Sequence, residues 1–151
     1  MRVVIQRVSE ASVTIDQKEI SSIQQGLLVL AGFEAGDTTE DLEWTSKKII
    51  QLRIFDDPEG VMNLSVKEID GEILVVSQFT LYAKTRKGNR PSYINAAPSN
   101  ISIPLYEQFL ETLFYNLGKK IHTGVFGAHM IVHLINDGPV TIIVDSKNKD
   151  L

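Results

Sequence analysis

The side chains that most often carry chemistry are thinly supplied in this 151-residue chain, which has three histidines and no cysteine. The lack of cysteine excludes disulfides and thiolate metal sites. His129 and His133 stand four apart, a spacing that on a helix would suggest a metal pair. The residues around them read as a strand, where four residues span ~13 Å, so the two rings cannot reach one ion. A surface or packing role is left to both, and His122 has no evident partner. Neither a metal nor a cofactor is expected. Acyl chemistry by a serine or threonine needs a base and an orienting acid, and no Gly-x-Ser-x-Gly elbow is present. Ser77 and Thr80 fall in a predicted strand without a base nearby, where threonine is by default a good strand former.

Asn136-Asp137-Gly138-Pro139-Val140-Thr141 is more informative. Glycine followed by proline is ordinary turn chemistry, and the cis form of such a bond is the minority isomer. A cis bond would nonetheless aim two successive carbonyl oxygens the same way. That pair of acceptors could receive an ammonium group with no side chain involved. The other local concentration is electrostatic: Lys84, Arg86, Lys87 and Arg90 fall within seven residues of a chain whose net charge is −4. The overall balance argues against a general polyanion binder, so any nucleic-acid contact must be local.

The elements that must position these residues read as one α+β domain covering 1–151, mostly antiparallel strands in a barrel-like or mixed sheet with two main helices. Arg2 to Val8 and Ala11 to Ile15 are predicted as two strands, with a turn at Gln17-Lys18 leading into Glu19 to Ile23. Gly26 to Phe33 suits a buried strand. Asp37 or Thr38 can cap a helix running to about Leu52, with Glu40 or Asp41 completing a capping box. Leu42, Ile49 and Leu52 lie near its buried face and Lys47 and Lys48 face solvent. Asp57-Pro58-Glu59-Gly60 is a turn. Ile73 to Tyr82 is the strongest strand, and its period of two places Gln78 and Thr80 on one face, Ser77 and Phe79 on the other. A second helix is expected from Ser102–Pro104 to a cap at Gly118, with Leu105, Phe109, Leu113 and Leu117 as its buried stripe. Ile121 to Val125, Met130 to Ile135 and Val140 to Val144 read as closing strands, the last two forming an antiparallel hairpin around Asn136–Pro139. The tail 146–151 is polar and is expected to fray. The N-terminus lacks a secretory pattern, and the eight-residue stretch Gly26 to Phe33 is the most apolar in the chain, short of the roughly 20 residues a span needs. A soluble, cytoplasmic protein without membrane contact is expected.

Together these segments resemble the D-aminoacyl-tRNA deacylase family nearly end to end. Ser77-Gln78-Phe79-Thr80-Leu81 and Asn136-Asp137-Gly138-Pro139-Val140-Thr141 match its two signature motifs, in order and about 60 residues apart. Gln6-Arg7-Val8 with Ala11-Ser12-Val13 looks like the family's first hairpin. Gly26 to Leu30, Arg53-Ile54-Phe55, Met62-Asn63-Leu64, Arg90-Pro91-Ser92 and Gly124-x-Phe126-Gly127-Ala128-x-Met130 fit as well. Lys84 departs from the acidic or amide residue expected there in many relatives.

The resemblance implies hydrolysis of the ester joining a D-amino acid to tRNA by a homodimer. It implies a cis Gly138–Pro139 bond inserted into the partner subunit's site, where the two carbonyls and Asn136 serve chiral selection. An L side chain would point into the carbonyls and be rejected, while glycine, with no side chain to clash, would leak through. Backbone N–H groups near Phe79 and Thr80 would stabilise the oxyanion, with Ser77 and Gln78 completing the catalytic segment and Arg7 and Met130 supporting the site. Either Thr80 is a covalent nucleophile, or backbone donors and the terminal ribose hydroxyl of the tRNA do the work. The second is favoured, because no base for Thr80 is visible. The Lys84–Arg90 segment would contact the tRNA. Rival readings are a sister deacylase that clears an L-amino acid from mischarged tRNA, a non-enzymatic nucleic-acid-binding module, and a hydrolase of free D-amino esters.

Overall fold

A computed structural model describes all residues from Met1 to Leu151. Its backbone is organised by two unusually long strands, β1 (Arg2–Ile15) and β8 (Ile131–Asp145), which run antiparallel along each other from Arg2↔Asp145 to Thr14↔Ile131. The other edge of β1 is shared. Its first half pairs with β3 (Gly26–Gly32) and its second half with β2 (Lys18–Ile23), both antiparallel. Beyond β3 the sheet continues in parallel through β6 (Glu72–Ser77) to β7 (His122–Thr123). A small antiparallel pair, β4 (Phe55–Asp56) and β5 (Met62–Leu64), stands apart, joined across the predicted turn at Asp57–Gly60.

Two faces of the sheet are buried, which explains why β3 and β6 read as near-continuous apolar runs. On one face Val3, Ile5, Leu27, Val29, Ile73 and Val75 meet the helices α1 (Thr39–Gln51) and α2 (Ser99–Leu117). On the other, Val8, Ala11, Val13 and Ile23 fold over Leu28, Leu74 and Val76 to make a second, smaller core. The result is a nearly closed mixed sheet with two helices.

Several expectations need correction. The two N-terminal strands are one, because Ser9 and Glu10, exposed and polar, ride through the ribbon with β8 rather than turning the chain. The Asn136–Pro139 segment is likewise interior to β8 and is no hairpin tip. The strand from Ile73 stops at Ser77, and Phe79–Tyr82 is a 3-10 turn. The second helix begins at Ser99, ahead of the proline: the amides of Ile101 and Ser102 and the Ser102 hydroxyl all donate to Pro98 O. Its end at Gly118, in the left-handed region, and the burial of Phe109, Leu113 and Leu117 match the expectation. His122 has a neighbour after all, its Nε2 lying 3.4 Å from Glu72.

Ser146 and Lys147, which open the polar tail, are tied to the N-terminal part of the chain. The Met1 ammonium is buried against Asp37 and donates to Ser146 Oγ at 2.7 Å, and the Ser146 amide donates to Met1 O. Lys147 Nζ reaches Asp41 Oδ2 at 2.6 Å. That same oxygen accepts the Thr38 amide and hydroxyl at 2.8 and 2.9 Å at the start of α1. Burial alone would raise the Asp41 carboxyl, but Lys147, the Thr38 amide and the Ser146 and Thr38 hydroxyls outweigh it and hold the group far below the ordinary carboxylate range. A depressed carboxyl contributes stability that is present above its unfolded value of ~3.9 and is lost as the pH falls towards the folded one. Asp41→Asn is therefore expected to cost about 1–3 kcal/mol at neutral pH, the gap to wild type narrowing below about pH 4. Urea titrations at a series of pH values measure this, and a gap unchanged down to pH 2.5 would contradict it.

Candidate active site

The segment Ser77–Thr80 leaves the sheet where β6 ends. Gln78 keeps one last sheet bond, from its amide to Ala31 O at 2.7 Å, and Phe79 then opens the 3-10 turn. Gly32 allows this close departure: a Cβ there would lie 2.9 Å from Gln78 O and 3.2 Å from Leu81 Cβ. The first N–H groups of such a turn have no partner inside it. Those of Phe79 and Thr80 also donate to no carbonyl or side chain elsewhere. Two adjacent unsatisfied donors thus stand at the start of the turn.

Beside them is a cavity of about 580 Å³ lined by Ser77, Gln78 and Phe79, by Pro98, Ser99 and Ser102 at the start of α2, and by the loop that carries Phe126 to Met130. Its size suits a nucleoside-sized ligand. Phe79 is 58% exposed at the mouth and meets Tyr93 edge to face, with centroids 5.0 Å apart. Gln78 Nε2 donates to Thr80 Oγ1, so these residues do meet, through the geometry of the turn and not through strand alternation. Thr80 has no base within hydrogen-bonding reach. His129, left a surface or packing role from sequence, lines the cavity, whereas His133 does not. Tyr93 and the start of α2 were also missed; the Arg90-Pro91-Ser92 run just before Tyr93 was the only signal near them.

The Gly-Pro segment lies elsewhere. Between Gln6↔Thr141 and Val8↔Asn136, the single residue Arg7 of β1 is faced by the four residues Asp137–Val140 of β8. They form an outward excursion, its Gly138–Pro139 peptide cis and Asp137, Gly138 and Pro139 exposed. Asn136 closes its neck: Oδ1 accepts the Val140 amide at 2.9 Å and Nδ2 donates to Thr141 Oγ1 at 3.0 Å. Arg7, buried beneath, donates from Nε to Asp137 O at 2.9 Å and from Nη1 to Ile54 O at 2.7 Å. Of the residues singled out from sequence, Ser77, Gln78, Phe79 and Met130 therefore line one cavity, while Thr80 stands next to its wall without lining it. Asn136, Gly138 and Pro139 belong to a separate projection outside it, with Arg7 buried beneath. Lys84, Arg86, Lys87 and Arg90 are exposed on a loop whose stem is the bridge Lys84↔Ser92.

The family model for D-Tyr-tRNA(Tyr) deacylase matches residues 4–145. A D-aminoacyl-tRNA deacylase of Flavobacterium psychrophilum is 65% identical over 99% of this chain and 100% of its own, and one of Bacteroides fragilis is 63% identical over the same shares. Among solved structures, a c-Myc DNA unwinding element binding protein superposes with a TM-score of 0.91 at 44% identity, covering 96% of this chain and 98% of its own. A probable eukaryotic D-amino acid tRNA deacylase, at 19% identity and a TM-score of 0.81 over 94% and 97%, shares the fold. Fold and sequence define an enzyme of the ester-hydrolase class. The chain belongs to the D-aminoacyl-tRNA deacylase family.

Proposed function

We propose that the protein hydrolyses the ester of D-aminoacyl-tRNA in the cavity beside Phe79. The observation that carries this reading is the pair of adjacent N–H groups of Phe79 and Thr80 without a turn or loop partner, the first on a residue that lines the cavity and the second on its neighbour. The ester carbonyl would sit against them, so that the charge developing on its oxygen meets donors already in place. The apolar wall and the Phe79–Tyr93 pair suit the terminal adenosine of the tRNA, since an aromatic edge offers a base a stacking surface. Thr80, hydrogen-bonded to Gln78 and without a base, acts by position, and the neighbouring ribose hydroxyl assists the attack.

Chiral selection belongs in this reading to the Gly138–Pro139 projection of a second copy of the chain. The projection is exposed and lies outside its own cavity, so it can act only on another. The strand that carries it presents Ile131, Ile135 and Ile143 about half exposed, an apolar stripe suited to a homodimer. The Gly138 and Pro139 carbonyls would accept the substrate's ammonium. They would exclude an L side chain and tolerate both D side chains and glycine.

The test is parallel hydrolysis of D-Tyr-tRNA, L-Tyr-tRNA and Gly-tRNA, with Thr80→Ala alongside. Cleavage of the D and glycyl esters only, with Thr80→Ala within about tenfold of wild type, is the expected result. Loss of more than a thousandfold in Thr80→Ala would restore the nucleophile mechanism. Cleavage of L-Tyr-tRNA would move the sister deacylase to the front. Because one similar structure is titled a DNA-binding protein, a duplex DNA arm in the binding assay separates an enzyme from a binding module.

A further inference from the structure

The reading above makes the 3-10 turn Phe79–Tyr82 responsible for the reacting ester, yet four residues of 3-10 helix have little rigidity of their own. The turn's first end is fixed by the Gln78–Ala31 bond and by the close fit over Gly32. Its other end is held by Arg2, which opens β1 between Gly32 of β3 and Asp145 of β8 and lines no part of the cavity. Arg2 Nη1 donates to Leu81 O at 2.9 Å, and its guanidinium lies 5.2 Å from the centre of the Tyr82 ring. Asp145, the β8 residue paired with Arg2 in register, sets the fork. Its Oδ2 accepts Nε at 2.8 Å and lies 2.7 Å from Nη2, leaving Nη1 for the turn. The carboxylate is itself buried, with its other oxygen taking the Lys147 amide at 2.9 Å.

We infer that Arg2 is a positioning residue for deacylation: with Asp145 behind it, it clamps Leu81 and Tyr82 so that the Phe79 and Thr80 N–H groups stay aimed at the ester carbonyl. The inference rests on the proposed site. Three features separate it from simple packing. Arg2 is about a third exposed, so burial is not its main contribution. Its bond goes to the turn's own carbonyl. A lysine could keep the charge but cannot serve Asp145 and Leu81 from one planar fork.

The experiment compares wild type, R2Q, R2K, K147Q and F79A in steady-state hydrolysis of D-Tyr-tRNA, each far below its own unfolding temperature. K147Q removes the Asp41 pair of the same chain-end cluster without touching the turn, and so serves as the stability control. R2Q is expected to lower kcat by ten- to a hundredfold with KM within about threefold, since small misplacement of reacting groups costs that much. R2K should fall between R2Q and wild type, and K147Q should keep wild-type kcat despite a lowered unfolding temperature. A kcat within twofold of wild type in R2Q, or an equal fall in K147Q, overturns the inference. F79A keeps the two failures apart. If F79A has wild-type kcat and KM, the site is misplaced; if F79A is impaired and R2Q is not, only the role of Arg2 falls.

Discussion

Arg7→Leu is expected to destabilise the protein by about 2–4 kcal/mol and to lower its preference for D over L esters by at least tenfold. The stability term follows from what the guanidinium satisfies. Arg7 is 7% exposed and serves the Asp137 and Ile54 carbonyls with two of its nitrogens. Leucine fills part of the volume but leaves both carbonyls without that donor. The Asp56 contact, 3.4 Å to a half-exposed carboxylate, adds little. For a chain of this length the loss corresponds to an unfolding temperature lower by roughly 5–15 °C. The selectivity term follows from geometry. Four residues bulge from β8 opposite Arg7, and the fork beneath ties their first carbonyl to the β4 side of the molecule. Without it the Gly138 and Pro139 carbonyls lose the fixed direction that the proposed exclusion of L substrates needs. Arg7→Lys is the companion variant. It keeps a charge but cannot reach both carbonyls as a planar fork does, and it should resemble leucine in selectivity more than in stability. The ratio of D-Tyr-tRNA to L-Tyr-tRNA hydrolysis in folded protein decides the matter. An unchanged ratio in both variants would mean that Arg7 only stabilises the fold.

How far such roles were legible in the sequence depended on how local their causes are. The start of α1 was readable because Thr38 and Asp41 make their bonds within four residues. The stripe of α2 was readable because helical spacing needs no knowledge of the partner surface. Its start was misread because Pro104 looks like a first helical residue, whereas Pro98 O collects the bonds that open the helix. The two long strands were each cut in half for a different reason. Ser9-Glu10 and Asn136–Pro139 carry turn chemistry, and only the β1–β8 pairs on either side of them carry the backbone through. The break after Ser77 was invisible for the same reason. Phe79, Leu81 and Tyr82 favour a strand locally, while the bond to Ala31, the fit over Gly32 and the contact of Arg2 come from residues between 46 and 79 positions away. The motif residues were found from their family pattern, but Asn136 as the neck of the projection and Tyr93 at the cavity mouth needed the fold.

The quadruple variant Lys84→Ala, Arg86→Ala, Lys87→Ala, Arg90→Ala is expected to bind D-Tyr-tRNA roughly a hundredfold more weakly near 0.1 M salt, while remaining folded. The place of the loop carries the expectation. It begins two residues after the turn that bears Phe79, is pinned by the Lys84 and Ser92 backbone pair at 2.8 and 3.1 Å, and ends one residue before Tyr93. Its Ser92 end therefore adjoins Tyr93, which lines the cavity. A tRNA whose terminal nucleoside enters there must bring its next phosphates past these four cations. In a protein of net charge −4, long-range attraction of a polyanion offers little in their place. All four side chains are exposed, which makes their loss cheap for the fold and keeps the readout on binding. The signature is the salt dependence. Each phosphate contact removed should lower the steepness of log affinity against log salt by about one, so the full set should flatten it by up to about four. At saturating tRNA, kcat should stay near wild type, because in the proposed complex the cations would touch the polymer and not the ester. An affinity and a salt slope equal to those of wild type would place the tRNA path on another face. A fall in kcat at saturation would show that the loop also shapes the Phe79–Tyr93 mouth.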